Sequence, residues 1–581
     1  MRHFVLNRRG GVVGSVLYLV VALAAVVFFY FKAADYGFPG QTWISVLVAV
    51  LFGQWLVIRV GHRQPSRARP IPSVPREAVG RSSTEDEPRI EPALDEPVRQ
   101  GPAPPPLDPR AVAVLPFRVV GSDPAIEYLA DGLAEEVLLG LASLGGARVT
   151  ARASSFSRRE EDPDLAEMGR QLGVGHVLQG SLSRGAGQLT VEAVLLKTSG
   201  AQVWSHRAEC EPAEWHEAQE ALVKRVAESL GYGLPDASPA LTPGRRTREA
   251  AALEYYLQGR AFWHGRGPGL QQSATFFAQA VHADADFALA WAGRADAHMM
   301  LGFYGYMEPH AAFKTARQSA ERALQLDDQI AEAWSALGFV RTFHDWDWAR
   351  ADLCFQKALD LNPSIMLARR WYAMNRGIVG RLADWVRQNR SSLAVDPLAV
   401  FSHAHIAWAL LGVRAYDEAE AAVQRALELD ENFALGYWFR GRAHLYRGDL
   451  DDAIADLITA ARLARGNPIV VSTLAYAVAR SGDRARAQRH LEDLQAGPPQ
   501  WRWVSASQIA TVELGLDRTN DALTSLERAG SERDFWLPIT IRRPEWDGVR
   551  HDPRFKAILE RTGLVEISEA SYAEAREAMD E

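Results

Sequence analysis

Asp131, Glu135 and Glu136 place three carboxylates within six residues, a density that could serve a hard cation or an acid–base pair. No histidine or further acid stands beside them. On a helix such residues more often serve the first turns, where the macrodipole favours negative charge. The glycine pairs Gly173/Gly175 and Gly185/Gly187 lack the lysine and the strand–loop–helix setting of a phosphate loop. Ser154 and Ser155 lack the elbow that exposes a nucleophilic serine. Cys210 and Cys354 lie far apart and form neither a disulfide framework nor a zinc ligand set. His403 and His405 are two residues apart, so on a helix they point to different faces. The expectation is a non-enzyme with no catalytic, cofactor-binding or metal-binding residues, whose chemistry is recognition.

Recognition has better candidates. Taking Arg369, His403, Tyr437 and Val471 as equivalent, the chain repeats every 34 residues. Ala373, Ala407, Gly441 and Ala475 stand four on. Sixteen on come Trp385, Ala419, Ala453 and Ala487, and twenty on Asn389, Val423, Leu457 and Leu491. This is the tetratricopeptide period: small side chains let paired helices approach, bulkier ones fill the gap, and Pro397 and Pro499 end the second helix. About eight units are expected over 245–530, stacked into an α-solenoid with a concave surface. The first helix of each unit lines that surface. Trp408, Trp438, Arg442 and Tyr476 are therefore the candidate contacts for a protein or peptide partner, being aromatic and arginine anchors. The competing reading packs these rings between repeats, since 13 of the 17 tryptophans lie beyond residue 250.

Upstream, residues 110–235 alternate between strand and helix patterns. Short apolar runs at Ala111–Leu115 and Ala147–Ala151 read as buried strands. Val177–Ser183 and Gln188–Leu196 read as a hairpin across Gly185–Gly187, with Gln202–His206 as a further strand. Glu127–Leu144, Leu165–Leu172 and Glu214–Leu230 carry helical periodicity. The order predicts a mixed-sheet α/β domain.

Val114–Phe117, Tyr128–Glu136, Arg152–Phe156, Gly169–Val174 and Val203–Ser205 together resemble the TolB-amino-terminal-like, or FlgO-like, domain of bacterial membrane proteins, which tetratricopeptide repeats commonly follow. His344–Trp348 and Arg542–Phe555 resemble the repeat and closing regions of the same family, so the resemblance runs from about Ala111 to Leu564. It implies a fold and an architecture, with a C-terminal cap at 531–565 and a tail at 566–581, but no reaction. Relatives join the domain to an adenylate cyclase, a winged-helix regulator or a kinase. No matching motif for those catalytic or DNA-binding parts is evident here.

The N-terminal region is different again. Gly10–Phe31 and Tyr36–Ile58 carry no charge, and each is long enough for a membrane-spanning helix. Residues 1–62 therefore read as a transmembrane hairpin, with helices at about 11–31 and 42–60. Arg2, Arg8 and Arg9 precede it and Arg59, Arg63, Arg67 and Arg69 follow, which predicts both termini on the cytoplasmic side of a bacterial inner membrane. A single span with a periplasmic body is the alternative, and the lipid bilayer is an expected partner. Residues 63–109 read as a disordered linker: Gly61–Pro109 holds 12 of the 30 prolines and buries too little apolar surface to order itself.

The whole chain of 581 residues, net charge −8 and 48% hydrophobic, excludes collagenous and disulfide-knot classes and carries no basic footprint for nucleic acid. The expected function is a membrane-anchored interaction scaffold or signalling accessory protein. The alternative is a component associated with adenylate cyclase or transcriptional regulation, without its own catalytic domain.

Overall fold

The computed structural model describes residues 107–121, 126–144, 146–156, 164–185, 188–211, 215–233, 247, 249–265, 269–497, 501 and 503–580. All fall within one compact unit, Arg99–Glu581. The expected transmembrane hairpin, and the linker up to residue 106, lie outside the described residues. The expected two-span placement in an inner membrane is corrected: among the described residues no helix is long and apolar enough to cross a membrane.

The N-terminal part is a mixed sheet. Strands β1 (Asp108–Val114), β3 (Val174–Gly185), β4 (Gln188–Lys197) and β5 (Gln202–Cys210) lie in that order, and β2 (Arg118–Val119) also pairs with β3. β1 and β2 run parallel to β3, whereas β3–β4 and β4–β5 are antiparallel. Parallel pairing needs a crossover, and helices Glu127–Ala142 and Leu165–Leu172 supply it. The expected strand at Ala147–Ala151 is reduced to one bridge, Val112 to Val149, because the chain turns into helix Arg152–Phe156 directly afterwards. Alternation along β4 buries Leu189, Val191, Ala193 and Leu195 against one helical layer containing Leu222 and Val226. Ala113 and Val177 face the other way, onto Met168 and Leu172.

The rest is a helical solenoid. Among the described residues, Ala250 to Ser531 contains eight consecutive helix pairs, from Ala250–Gly265 with Gly269–Ala283 to Ala506–Gly515 with Thr519–Ser531. The small positions of the repeat lie at its tightest contacts: Ala407, Ala419, Ala453, Ala475 and Ala487 are all fully buried. The one large residue in that series, Trp385, is accommodated by two glycines. A Cβ at Gly377 would come within 2.4 Å of its indole, and one at Gly412 within 2.1 Å.

The array curls back on itself. Phe535 and Trp536, just past the last pair, reach the second pair: their rings lie 5.7 and 5.0 Å from that of Phe303, and Phe535 meets Phe313 at 5.4 Å. Buried Asp534 fixes this turn by accepting from the Ser507 hydroxyl at 2.6 Å and the Trp536 N–H at 2.9 Å. On either side of this turn, Arg533 donates to the Asp345 carbonyl, Arg542 to the Ile378 carbonyl and Trp348 to the Thr562 carbonyl. Helix Glu569–Asp580 packs along helix Leu382–Val395, where the Arg414 guanidinium stacks 4.7 Å over the Tyr572 ring.

Candidate functional site

The inner face of the closed solenoid is aromatic. Phe303, Trp371, Trp408, Trp438, Trp503 and Trp536 contribute to the walls of a cavity of about 260 Å³. Phe303, Trp371, Trp408 and Trp438 come from four different repeats, Trp503 from the link before the last helix pair and Trp536 from the segment after it, so the cavity exists only because the array closes. The rings are tightly packed: Phe303 meets Trp371 at 5.0 Å and Trp408 meets Trp438 at 6.2 Å, both edge-on. Such offset and T-shaped arrangements are those the ring quadrupole favours. Two of the indoles also present polar edges. Trp371 Nε1 and Trp501 Nε1 are buried with no protein acceptor, and both residues line the cavity. His405 shares the wall, its ring 6.1 Å from Trp371 and 5.9 Å from Trp408.

The four residues singled out from sequence divide here. Trp408 and Trp438 line the cavity, and the Arg442 guanidinium lies 5.2 Å over the Trp438 ring. None of the three projects as a free anchor. Trp438 is 1% exposed and its Nε1 donates to the Thr473 hydroxyl at 3.0 Å, while Arg442 is 2% exposed. Tyr476 stands apart, packed against Gly515 between repeats. Burial raises its phenol to about 12. Packing between repeats and lining the inner face are thus one arrangement for the two tryptophans. Four further tryptophans line the cavity that sequence reasoning does not single out: Trp371 stands inside the register, two residues after Arg369 on helix Met366–Ile378, whereas Trp501 and Trp503 sit in the link before the last helix pair and Trp536 just after it.

The acidic cluster near the N-terminal side forms a junction. Glu135 is buried and paired with Arg260, with His264 Nε2 at 2.9 Å and with Arg152 at 3.3 Å. Burial alone would raise its carboxyl, but Arg260, His264 and Arg152 override that and hold it well below the ordinary range. Burial pushes His264 down to about 4, so at neutral pH the imidazole is neutral and donates its Nε2 proton to Glu135. Arg260 and His264 belong to the first solenoid helix, Glu135 to helix Glu127–Ala142 of the sheet domain. Glu135 therefore joins the two parts and does not solvate a helix end. Among the described residues no group of three or more His, Cys, Asp or Glu could hold a metal.

Ser154 makes a second junction. Its N–H and hydroxyl donate to Asp396 Oδ1 at 2.9 and 2.6 Å, and its oxygen accepts from the Leu398 N–H at 2.9 Å. Burial raises the Asp396 carboxyl while Ser154 draws it back. His403 donates to the Pro397 carbonyl at 2.9 Å, and Cys210 and Cys354 are free thiols, Cys354 being buried.

Fold and cavity define the class: a tetratricopeptide-like helical-repeat protein with a small mixed-sheet domain on its N-terminal side. No family model matches the chain. Putative adenylate cyclase 3 of Rhizobium meliloti is 30% identical over 166 residues, 28% of this chain and 27% of that protein. Transcriptional regulator HilA of Salmonella typhimurium is 22% identical over 300 residues, 51% of this chain and 52% of that protein. The match thus spans about a quarter of one relative and half of the other. Among solved structures, the tetratricopeptide protein YrrB, described as having an unusual peptide-binding site, aligns at 17% identity with a TM-score of 0.24, over 33% of this chain and 93% of its own.

Proposed function

We propose that the chain is a non-enzymatic interaction scaffold whose closed repeat array binds a protein partner by taking a bulky side chain of that partner into the aromatic cavity. The observation that carries this reading is the combination of aromatic walls with two buried indole N–H groups that have no protein acceptor, Trp371 Nε1 and Trp501 Nε1. A cavity of about 260 Å³ falls below the usual range for drug-sized ligands, which begins near roughly 300 Å³, and suits one large side chain with a neighbouring backbone carbonyl. An unpaired buried donor costs roughly 1–3 kcal/mol, so a carbonyl that reaches either indole gains directional strength. The sheet domain, which we read as TolB-amino-terminal-like on the motifs Val114–Phe117 and Arg152–Phe156, acts as a rigidly docked second surface. The partial likeness to a cyclase and to a transcriptional regulator supports placing such a scaffold in a signalling assembly.

Peptide display against the full chain tests this. Aromatic-containing sequences should be enriched, and the affinity of an enriched peptide should fall about tenfold with Trp371→Phe or Trp501→Phe, each of which keeps a ring and removes one hydrogen bond. Enrichment of no such peptide, or affinity indifferent to both substitutions, would defeat the reading.

A further inference from the structure

Trp408 also lines a second, smaller cavity of about 30 Å³. Its walls are largely apolar, with Ile378, Trp385 and Ile539 among them, yet three arginines reach it: Arg442 from helix Ala434–Arg447, and Arg542 and Arg543 from the stretch before the turn Pro544–Val549. Arg442 and Arg543 are 2% and 3% exposed. Arg442 directs Nε and Nη2 to the Tyr446 hydroxyl at 3.0 and 2.8 Å. Arg542 directs Nε and Nη1 to the carbonyls of Ile378 and Val565 at 2.8 and 2.6 Å. Four donors remain buried with no protein acceptor: Arg442 Nη1, Arg542 Nη2, and Arg543 Nε and Nη2.

The neighbouring acids do not meet these donors. Glu545 accepts the Tyr446 hydroxyl through Oε2 at 2.9 Å while its Oε1 is buried with no protein donor, and Asp547 is held by Arg414 at 2.7 Å and Arg550 at 2.8 Å. Three guanidinium charges therefore face one nearby carboxylate that hydrogen-bonds to none of them directly. Burial first, and Arg442 second, lower Arg543 to about 10, which still leaves it charged at neutral pH. In an apolar enclosure such like charges repel far more strongly than in water. Water in the cavity would satisfy donors but leave the charge uncompensated, whereas an anion does both through charge-assisted hydrogen bonds. The volume corresponds to about two water molecules, enough for a halide or a carboxylate head and too little for a substituted phosphate.

We propose that Arg442, Arg542 and Arg543 form a buried site for a compact monoanion, a halide or a carboxylate group, which ties the segment carrying Arg542 and Arg543 to the inner face of the repeat array. The site shares Trp408 with the aromatic cavity, but the inference does not rest on partner binding there.

The full chain is titrated with sodium bromide or sodium acetate at constant ionic strength, balanced with sodium isethionate, and crystals are soaked in bromide. The expected result is a saturable rise in melting temperature of about 2–4 °C, absent from Arg442→Met with Arg543→Met, and an anomalous bromide peak between Arg442 and Arg543. Displacement of that peak by acetate identifies carboxylate chemistry; retention identifies a halide site. General salt effects persist in the double variant and are subtracted by it. No bromide peak at saturating soak overturns the proposal even if the double variant fails to fold, as does a melting response that the variant shares.

Discussion

His264 Nε2 stands 2.9 Å from Glu135 Oε2, joining the first solenoid helix to the sheet domain across 129 residues of sequence. Because His264 is pushed down to about 4 from an ordinary 6.5, the unfolded chain takes up its proton first as the medium is acidified. Stability is therefore level above about pH 6.5 and declines toward pH 4. Glu135 acts in the same direction, since its depressed carboxyl contributes stability above its unfolded value that is lost as pH falls through the folded one. Urea unfolding should weaken on the order of 2 kcal/mol between pH 7 and 4.5, and His264→Gln should flatten that slope. A pH profile for the His264→Gln chain as steep as the parent's would contradict the assignment.

Removing one partner of the same junction should hurt more than removing both. Glu135→Gln leaves Arg260 buried without its counter-charge, a loss of about 3–5 kcal/mol, whereas Glu135→Leu combined with Arg260→Met replaces the pair by apolar contact. Equilibrium denaturation of the three chains is the measurement. The double variant should be the more stable of the two, and the reverse order would mean that Arg260 finds relief elsewhere.

Gly412→Ala should cost about 1–3 kcal/mol, because its Cβ would fall 2.1 Å from the Trp385 ring. The loss should shrink when Trp385→Leu is added, giving a coupling energy above roughly 0.5 kcal/mol in a double-mutant cycle. Additive effects would show that the two positions do not compete for the same space.

Phe535→Ala should release contacts at a distance. The ring touches Phe303, Phe313 and Trp503, so its loss should cost about 3–5 kcal/mol and speed hydrogen exchange in helix Ala288–Phe303. Faster exchange confined to residues near 535 would show that the array holds its curvature without closure.

The repeat was legible because its signal is local. Ala419, Ala453 and Ala487 recur at a fixed period, and close helix packing demands small residues there wherever the unit occurs. Trp438 and Arg442, one helical turn apart, could be placed on one face for the same reason. The junctions were not legible. Glu135 with Arg260, and Ser154 with Asp396, join segments more than a hundred residues apart, and nothing at either residue announces its partner. The inner cavity was half legible: Trp408 and Trp438 follow the repeat register, but Trp501, Trp503 and Trp536 lie where that register ends. Ala147–Ala151 shows the opposite error, an apolar run with strand composition that the following helix allows only a single bridge.

Closure by Phe535 and Trp536 also sets an order of events during synthesis. An open solenoid can finish each unit as it emerges, since every unit needs only its neighbours. Here Phe303, Phe313 and Trp371 leave the ribosome long before the rings that cover them, so the nascent array presents an apolar interior until its final turns are translated. A chain stopped just beyond the last repeat would leave that interior uncovered, a nearly complete array prone to aggregation.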